Sequence, residues 1–301
     1  MTRTKELPFI KMHGLGNDFI VLDGRDGSPV PDAQQMQALA HRHLGLGCDQ
    51  LMVLMPAAEG VDVCLDMFNA DGSIAGACGN GTRCVASLLM AEKTTDRVVI
   101  RTIAGDLPCW RSGTTGQISV QMGPVHTAWQ DIPLTRESDT LHLDLGLADA
   151  GLADLGLAVA VSVGNPHAVF FVRDAEAVDI ETYGPLAEQH PIFSDRANIE
   201  FVSLKNRREM RMRVWERGVG VTMACGSGAC AAAAAGVLRG LCDNQVKIEL
   251  DGGILDIHWQ QADSPAGGQI IMTGPVATVA SGIIPARFFA ALATRTARAE
   301  R

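Results

Sequence analysis

The stretch MACGSGACAAAAAG at residues 223–236 places a cysteine and two glycines directly before a run of alanines. Alanine is the strongest helix former and glycine is among the weakest. The order therefore predicts a loop that leads into a helix, with Cys225 at the junction. A second stretch, ACGNGTRCVASLL at residues 77–89, repeats the arrangement with Cys78 in the leading position.

The similarity between the two cysteine segments continues into their surroundings. Alternating apolar and polar residues predict a strand before each segment, at 61–68 and at 209–215. Three strands are predicted after each helix, at 97–102, a segment ending at Trp110 and 117–124 in the first half, and at 245–250, 254–259 and 269–275 in the second. Each half closes on a Gly-Pro pair. We therefore predict a duplicated domain.

The remaining elements complete a mixed pattern of strands and helices. The sequence predicts further strands at 18–23, 51–55, 141–145, 157–164, 168–172 and 199–204, and helices at about 32–44 and 175–189. The polar segment 125–138 is the predicted linker. We expect an N-terminal domain at 1–125, completed by 276–301, and a C-terminal domain at 126–275. The basic tail beyond about residue 286 receives no function.

Composition and charge exclude several classes of protein. The chain has 301 residues, a formal net charge of −9 and no long basic run, so nucleic acid and anionic membranes are not its expected partners. No apolar run is long enough to span a membrane. The first ten residues lack the apolar core of a signal peptide, so we expect a cytoplasmic protein. Its eight cysteines are expected to remain thiols.

The chemistry of a helix N-terminus explains why a cysteine would stand there. Its unpaired N–H groups and partial positive charge attract an anion such as a carboxylate, and the glycines let that ligand approach the backbone. The same field is expected to lower the pKa of a neighbouring thiol. For either cysteine alone, burial as a small apolar side chain is the simpler explanation. The matched pair favours chemistry.

Two such thiols suit a reaction that inverts a carbon centre. If the two halves face each other, one thiolate removes a proton from one side of the carbon and the other thiol delivers a proton to the opposite side. Helix-end N–H groups would hold the developing oxyanion. This predicts a racemase or epimerase that needs no cofactor and no metal.

Several longer motifs resemble the diaminopimelate epimerase family. They are NADGSIAGACGNGTR (69–83), ERGVGVTMACGSGA (216–229), KMHGLGNDF (11–19), GLGCDQ (45–50), GNPH (164–167) and RANIEF (196–201). The resemblance extends from residue 11 to about 275. It implies an α+β fold of two similar, pseudo-twofold-related domains, each a curved, mostly antiparallel, barrel-like sheet around a central helix, with the active site in the cleft between the domains.

The resemblance also implies a reaction and the residues that perform it. The family interconverts LL- and meso-2,6-diaminopimelate without pyridoxal phosphate, in the synthesis of lysine and peptidoglycan precursors. By resemblance Cys78 and Cys225 are the acid–base pair, and Cys225 takes the proton in the LL-to-meso direction. His167 and Glu216 match positions that tune the thiols. Substrate-binding positions are matched by Asn17, Gln50, Asn69, Gly79, Asn80, Asn165, Asn198, Glu216, Arg217, Gly226 and Ser227.

Three alternatives stay open at this point. The chain could be a proline or hydroxyproline racemase of the same fold, although such a substrate has no second carboxylate to explain Arg217. It could be a thiol redox or metal-binding protein that uses Cys78 and Cys225, although it contains no C-x-x-C pair. The third concerns single residues, because His167 could simply pack in the core, and Asn69 and Asn198 could be turn residues. A homodimer stays open beside a monomer.

Overall fold

The structure is a computed structural model that describes residues 6–76, 78–113, 116–147, 155–260 and 268–290. Contacts divide the chain into two compact units. The first unit contains Met1–Gly14, Asp18–Arg111 and Val276–Arg301, and the second contains Leu15–Asn17 and Ser112–Pro275. Residues 286–290 are helical, and the rest of the basic tail lies outside the described residues.

The first unit is a mixed sheet with two helices, besides the short helical segment 286–290. Its elements are β1 (Leu7–Gly14), β2 (Asn17–Asp23), α1 (Ala33–Ala40), β3 (Gln50–Met55), β4 (Val63–Asn69), α2 (Gly79–Lys93), β5 (Arg97–Thr102), β6 (Gly105–Ser112) and β16 (Ala277–Ile284). The strand order is β16-β1-β2-β3-β4-β5-β6. Antiparallel pairing of β16 with β1 brings the end of the chain back to its beginning.

The second unit has the same kind of sheet and also two helices. Its elements are β7 (Gln117–Pro124), β8 (Val159–Ser162), β9 (Pro166–Phe171), α3 (Ile180–Glu188), β10 (Asn198–Asn206), β11 (Glu209–Glu216), β12 (Gly220–Val221), α4 (Gly226–Leu238), β13 (Gln245–Leu250), β14 (Gly253–Gln260) and β15 (Gln269–Gly274). The strand order is β7-β15-β14-β13-β11-β10-β9-β8, and β12 pairs with β11.

The sequence repeat reappears as a repeat of strand pairings. In the first unit β2 and β3 are parallel, β3 and β4 antiparallel, β4 and β5 parallel, and β5 and β6 antiparallel. In the second unit β9, β10, β11, β13 and β14 pair in the same order of directions. Each cysteine helix occupies the same step, since α2 joins β4 to β5 and α4 stands between β11 and β13. The predicted duplication has a structural counterpart.

The sheet of the second unit packs around α4. This helix contacts β8, β9, β10, β11, β13, β14 and β15, and its alanines are buried on every side. A helix built largely from alanine and glycine presents little side-chain volume, so strands can approach its backbone closely from all directions. Within the described ranges, no helix is both long and apolar enough to cross a membrane.

Both faces of strands β8 and β9 are covered. Val159, Val161 and Val169 belong to the core around α4, whereas Ala160 and Phe170 belong to a second core beneath α3. The alternation follows from the two-residue period of a strand. Phe170 also stacks on an aromatic ring of β10, at a centroid distance of 5.6 Å. The strands that carry functional side chains are therefore held rigidly from both sides.

Most of the predicted elements are confirmed, and the exceptions have local causes. The predicted strand at 141–145 is wrong, because this segment forms only an isolated bridge between Leu143 and Ala158. The predicted helices are shorter than expected, at Ala33–Ala40 and Ile180–Glu188. Strands β1 and β16 were not predicted, because neither has a clean alternation and most of β16 is exposed.

The compact units and the predicted domains differ in one strand. The predicted boundary at 125–126 assigns β7 to the first domain, whereas β7 pairs with β15 and belongs to the second unit. The compact units are defined by contacts in the structure, whereas the predicted domains are defined by the sequence repeat. The predicted domain boundaries therefore stay a prediction.

Candidate active site

Each of the two cysteines is the N-cap residue of a helix. Cys78 has extended backbone angles and its Sγ accepts a hydrogen bond from Gly81 N at 3.3 Å. Cys225 does the same for α4, where its Sγ accepts from Gly228 N at 3.4 Å. A capping side chain normally supplies an oxygen to one of the first free N–H groups of the helix. Here sulfur takes that place, so both thiols lie at the positive end of a helix.

The second glycine of each C-G-x-G motif, three residues after the cysteine, lies close to the cysteine sulfur. A Cβ on Gly81 would lie 2.2 Å from Cε of Met52 and 3.5 Å from Sγ of Cys78. A Cβ on Gly228 would lie 2.8 Å from Oε1 of Glu200 and 3.3 Å from the Cys225 sulfur. A side chain at position 228 would therefore meet a buried carboxylate, whereas one at position 81 would meet the flexible end of Met52.

Cys225 does not have the lowered pKa that its place at a helix N-terminus predicted. Its side chain is buried, and burial raises the pKa of the thiol well above the ordinary value, because a thiolate loses its solvation there. The negative charges of Glu216 and Glu200 raise it further, and hydrogen bonds from Ser227 and the Gly228 N–H act in the opposite direction. Burial and these two carboxylates therefore favour the thiol of Cys225 over the thiolate.

A chain of hydrogen bonds links this thiol to a buried carboxylate. Glu200 Oε1 is 2.7 Å from Nδ1 of His167, and Nε2 of His167 is 3.0 Å from Oδ1 of Asn165. Asn165 Nδ2 donates to the Ser227 hydroxyl at 3.3 Å, and that hydroxyl lies 3.5 Å from the Cys225 sulfur. Four of the predicted site residues thus lie in one continuous network of the second unit.

Sequence reasoning missed Glu200, the far end of this network. Glu200 and His167 are both 0 % exposed. The sequence did contain a sign of its role, because Glu200 is a charged residue between the apolar residues Ile199, Phe201 and Val202. All of these residues are buried in β10. A carboxylate is almost never fully buried without a partner.

Three more predicted residues meet at the start of β10 and the end of β11. Asn198 Nδ2 donates to the Pro166 carbonyl at 3.1 Å, and its Oδ1 accepts from Arg217 N at 3.0 Å. The Arg217 guanidinium binds the carboxylate of Asp195 and donates to its backbone carbonyl at 2.9 Å. Glu216 accepts a hydrogen bond from the Thr222 hydroxyl. The guanidinium of Arg217 is therefore paired with an anion of its own unit.

The first unit carries a smaller polar set. Gln50 and Asn69 are direct cross-strand partners on β3 and β4, and Gln50 Nε2 donates to Asn69 Oδ1 at 3.1 Å. Asn69 Nδ2 donates in turn to the Ser73 hydroxyl. The buried Gln50 Oε1 has no hydrogen-bond partner among the described residues. Asn80 is buried in the first turn of α2, beside Cys78.

The structure thus sorts the predicted site residues into two sets. The first unit carries Gln50, Asn69, Cys78, Gly79 and Asn80, and the second carries Asn17, Asn165, His167, Asn198, Glu216, Arg217, Cys225, Gly226 and Ser227. Each set combines one N-capping thiol with side-chain amides, which can both donate and accept hydrogen bonds. Within the described ranges, no three His, Cys, Asp or Glu side chains converge as metal ligands would.

Comparison with known proteins gives one consistent family. The family described as diaminopimelate epimerase matches residues 9–128 and 159–279. The chain is similar to the diaminopimelate epimerase of Rhodospirillum centenum, with 48 % identity over 91 % of each chain. It is also similar to the diaminopimelate epimerase of Phenylobacterium zucineum, with 47 % identity over 92 % of this chain and 98 % of the relative.

Solved structures agree at the level of the fold. A hydroxyproline epimerase from Agrobacterium vitis, with trans-4-hydroxy-L-proline bound, superposes with a TM-score of 0.66. The comparison covers 94 % of this chain and 92 % of that chain, at 15 % sequence identity. This likeness supports the two-domain α+β fold and carries no information about the substrate.

Proposed function

The chain belongs to the diaminopimelate epimerase family and is an isomerase, and from that premise we propose how it acts. The substrate is the small molecule 2,6-diaminopimelate, and the reaction interconverts its LL and meso forms. Cys78 and Cys225 are the two acid–base groups. The observation that carries the proposal is that both thiols cap helices in the same way, each next to glycines and an amide or hydroxyl side chain.

The reacting carboxylate is proposed to bind at the helix starts. The first turn of α2, at Gly79 and Asn80, and the first turn of α4, at Gly226 and Ser227, direct backbone N–H groups toward any anion placed before the helix. They bind the carboxylate in the ground state. They bind it more strongly when negative charge builds up on its oxygens as the α-proton leaves.

The two thiols share one proton throughout the reaction. In the LL-to-meso direction the Cys225 thiolate forms an S–H bond as the α C–H bond breaks, and the electron pair moves onto the carboxylate. The S–H bond of Cys78 then breaks as its proton is delivered to the opposite face of the carbon, which leaves Cys78 as the thiolate. In the reverse direction the two cysteines exchange roles, so no cofactor is consumed.

Because the pKa of Cys225 is raised, substrate binding must also favour formation of its thiolate. Burial favours the protonated form of this thiol, which is the form needed for the meso-to-LL direction. The LL-to-meso direction requires the thiolate. The α-ammonium group of the substrate can pair with Glu216, and this neutralises a carboxylate whose charge raises the pKa of Cys225. Binding of the substrate thereby prepares the base.

The distal amino acid group is proposed to bind Arg217. A guanidinium binds a carboxylate through two parallel hydrogen bonds, and Asp195 holds Arg217 until the substrate arrives. Asn17, Gln50, Asn69, Asn165 and Asn198 supply amide donors and acceptors for the remaining polar atoms of the substrate. Because binding energy at the distal end orients the reacting carbon, substrates without that end should react poorly.

Deuterium exchange tests the reaction and both bases. Purified protein with reductant is incubated with LL-diaminopimelate in D₂O, and proton NMR follows the α-proton signal. We expect deuterium to enter as the meso form appears, and both Cys78→Ala and Cys225→Ala to abolish conversion. Cys64→Ala is the matched control, because Cys64 is half-buried like Cys78 but lies on β4, and it should keep full activity.

The alternatives give different results in the same experiment. Exchange with proline but not with diaminopimelate would identify a proline-type racemase. Exchange with neither substrate, together with stoichiometric zinc or a redox-active thiol pair, would favour a metal-binding or redox protein. We also propose a cytoplasmic location, where these precursors are made, which cell fractionation tests. Light scattering decides between the monomer and the homodimer that the resemblance leaves open.

A further inference from the structure

The buried pair Glu200–His167 lies behind the proposed reacting thiol. Both side chains are fully buried in the second unit, on β10 and β9. The carboxylate oxygen Oε1 of Glu200 is hydrogen-bonded to His167. The other carboxylate oxygen, Oε2, has no hydrogen-bond partner among the described residues. Glu200 is therefore oriented by the imidazole, and the imidazole by Glu200.

Counting donors and acceptors fixes the hydrogens of His167. Asn165 donates to Ser227 through Nδ2, so its Oδ1 faces His167 and can only accept. Nε2 of His167 must therefore carry a hydrogen. Nδ1 of His167 and Oε1 of Glu200, which lie 2.7 Å apart, then share a single hydrogen.

This hydrogen count gives the network a direction. Nε2–H of His167 donates to Asn165, and Asn165 Nδ2–H donates to the oxygen of Ser227. The hydroxyl hydrogen of Ser227 is then left to donate to the sulfur of Cys225, 3.5 Å away. If Nε2 of His167 lost its hydrogen, the Asn165 side-chain amide would rotate by about 180° so that its N–H group faced Nε2. The Ser227 hydroxyl would then donate to Asn165 Oδ1, and the Cys225 sulfur would lose its hydrogen-bond donor.

We propose that Glu200 is a positioning residue for Cys225: by holding Nδ1 of His167, it fixes the network so that the Ser227 hydroxyl donates to the sulfur. The proposal rests on the proposed function, in which Cys225 must become a thiolate in one direction. Glu200 touches neither the substrate nor the sulfur. It acts through three intervening side chains, and the hydrogen bond that this network places on the sulfur favours the thiolate form.

Glu200 affects Cys225 in two opposite ways, and the test must separate them. Its negative charge, like that of Glu216 on β11, disfavours the thiolate directly, whereas the network favours it. Glu216, Glu200 and His167 are the charged or titratable groups that β11, β10 and β9 place toward this site. Any substitution that removes the Glu200 charge removes its direct effect on the thiolate. Only a substitution that also removes the hydrogen bond to Nδ1 of His167 changes the effect of the network.

The variants Glu200→Gln and Glu200→Met form a matched pair. Both remove the charge at nearly constant side-chain length. The amide of glutamine can still donate to Nδ1 and keep the hydrogen on Nε2, whereas methionine cannot. The measurement is the pH midpoint of Cys225 alkylation by iodoacetamide, followed by peptide mass spectrometry. The midpoint, unlike the rate, does not depend on how accessible the thiol is.

We expect the midpoint of Glu200→Met to lie about one pH unit above that of Glu200→Gln, a tenfold difference in thiolate. The difference should disappear when Ser227→Ala is added to both. The variants Glu209→Gln and Glu209→Met, at an exposed position of β11, should match the wild-type midpoint. Equal midpoints for the two Glu200 variants, or a difference that survives Ser227→Ala, would overturn the proposal.

A measurement on the wild-type protein keeps the proposal testable if a variant does not fold. Nitrogen-15 NMR of labelled histidine reports which ring nitrogen of His167 carries hydrogen. A hydrogen on Nε2 supports the directed network, and a bare Nε2 refutes it. Neither the alkylation nor the NMR experiment requires catalytic turnover. A failed deuterium exchange would therefore refute the proposed function without affecting the alkylation midpoints or the NMR result. In active protein, Glu200→Met should lower kcat more than Glu200→Gln does, with KM unchanged.

Discussion

Removing one member of the buried Glu200–His167 pair should cost far more stability than removing both. The perturbation is His167→Leu, which keeps an apolar side chain in place of the ring and leaves Glu200 in the interior. Glu200 is 0 % exposed, so no solvent can replace the lost imidazole without opening the strands around it.

The magnitude follows from the distance between the two groups. At an effective dielectric constant of about 20, unit charges 2.7 Å apart attract by about 6 kcal/mol. Burying each ion costs several kcal/mol of solvation, so the intact pair is close to balanced. Without His167, the solvation cost of Glu200 remains and the attraction is gone. We expect the free energy of unfolding to fall by about 3–5 kcal/mol.

The double variant His167→Leu/Glu200→Met separates this effect from ordinary loss of packing. An apolar pair of similar volume leaves no buried charge, so most of the lost stability should return, as it does when buried ion pairs are replaced together. The assay is urea unfolding followed by tryptophan fluorescence. Three of the four tryptophans report on the second unit, namely Trp129, Trp215 and Trp259.

Two outcomes would refute the reasoning. A loss below about 1 kcal/mol in His167→Leu would mean that Glu200 reaches solvent or another partner. A double variant less stable than either single variant would mean that the pair contributes through packing and not through charge neutralisation. Activity is not expected to return in the double variant, because the hydrogen-bond network to Cys225 is absent from it.

Three further predictions concern other parts of the molecule. Burial raises the pKa of Asp18, but hydrogen bonds from Arg42 and a lysine outweigh it and lower the pKa to about 2. Asp18 thus stabilises the fold above its unfolded pKa and loses this contribution as pH falls toward 2. Asp18→Asn should therefore cost about 2 kcal/mol at pH 7, with the difference vanishing in acid unfolding curves. Gly228→Ala should lower activity at least tenfold, because its methyl group would displace a buried carboxylate, whereas Gly81→Ala meets only a flexible thioether and should be milder in the same deuterium assay. Asp32→Ala removes the capping box of α1 and should cost about 1 kcal/mol in urea unfolding, without changing activity.

Local sequence was a good guide wherever local forces decide the structure. The change from glycine to alanine marked the start of α4, and the same signal at Cys78 marked α2, because helix propensity and capping act within a few residues. The repeat of strands around both helices was visible for the same reason. Strand β16 was not, because its position depends on pairing with β1, at the other end of the chain.

The electrostatics of the candidate site could not be predicted in this way. From the local sequence, the helix N-terminus beside Cys225 predicts a lowered pKa for its thiol. The structure buries this sulfur, which raises the pKa of the thiol, and Glu216 and Glu200 on two other strands raise it further. These contributions act through space, so the sequence alone gives no sign of their sum. Glu200 carried a local signal, a charge within an apolar strand, but its partner became visible only with the strand pairing.

The alanine-rich helix α4 has a consequence for how the protein can change during evolution. A helix on the surface accepts substitutions on one face and rejects them on the other. Residues Ala229–Ala235 are enclosed on all sides, so every position there should accept only glycine, serine or cysteine, whatever its place in the helical turn. A saturation library of this segment should therefore show uniform intolerance without a 3.6-residue rhythm. Variation that tunes the enzyme has to arise on the strands and loops around this helix.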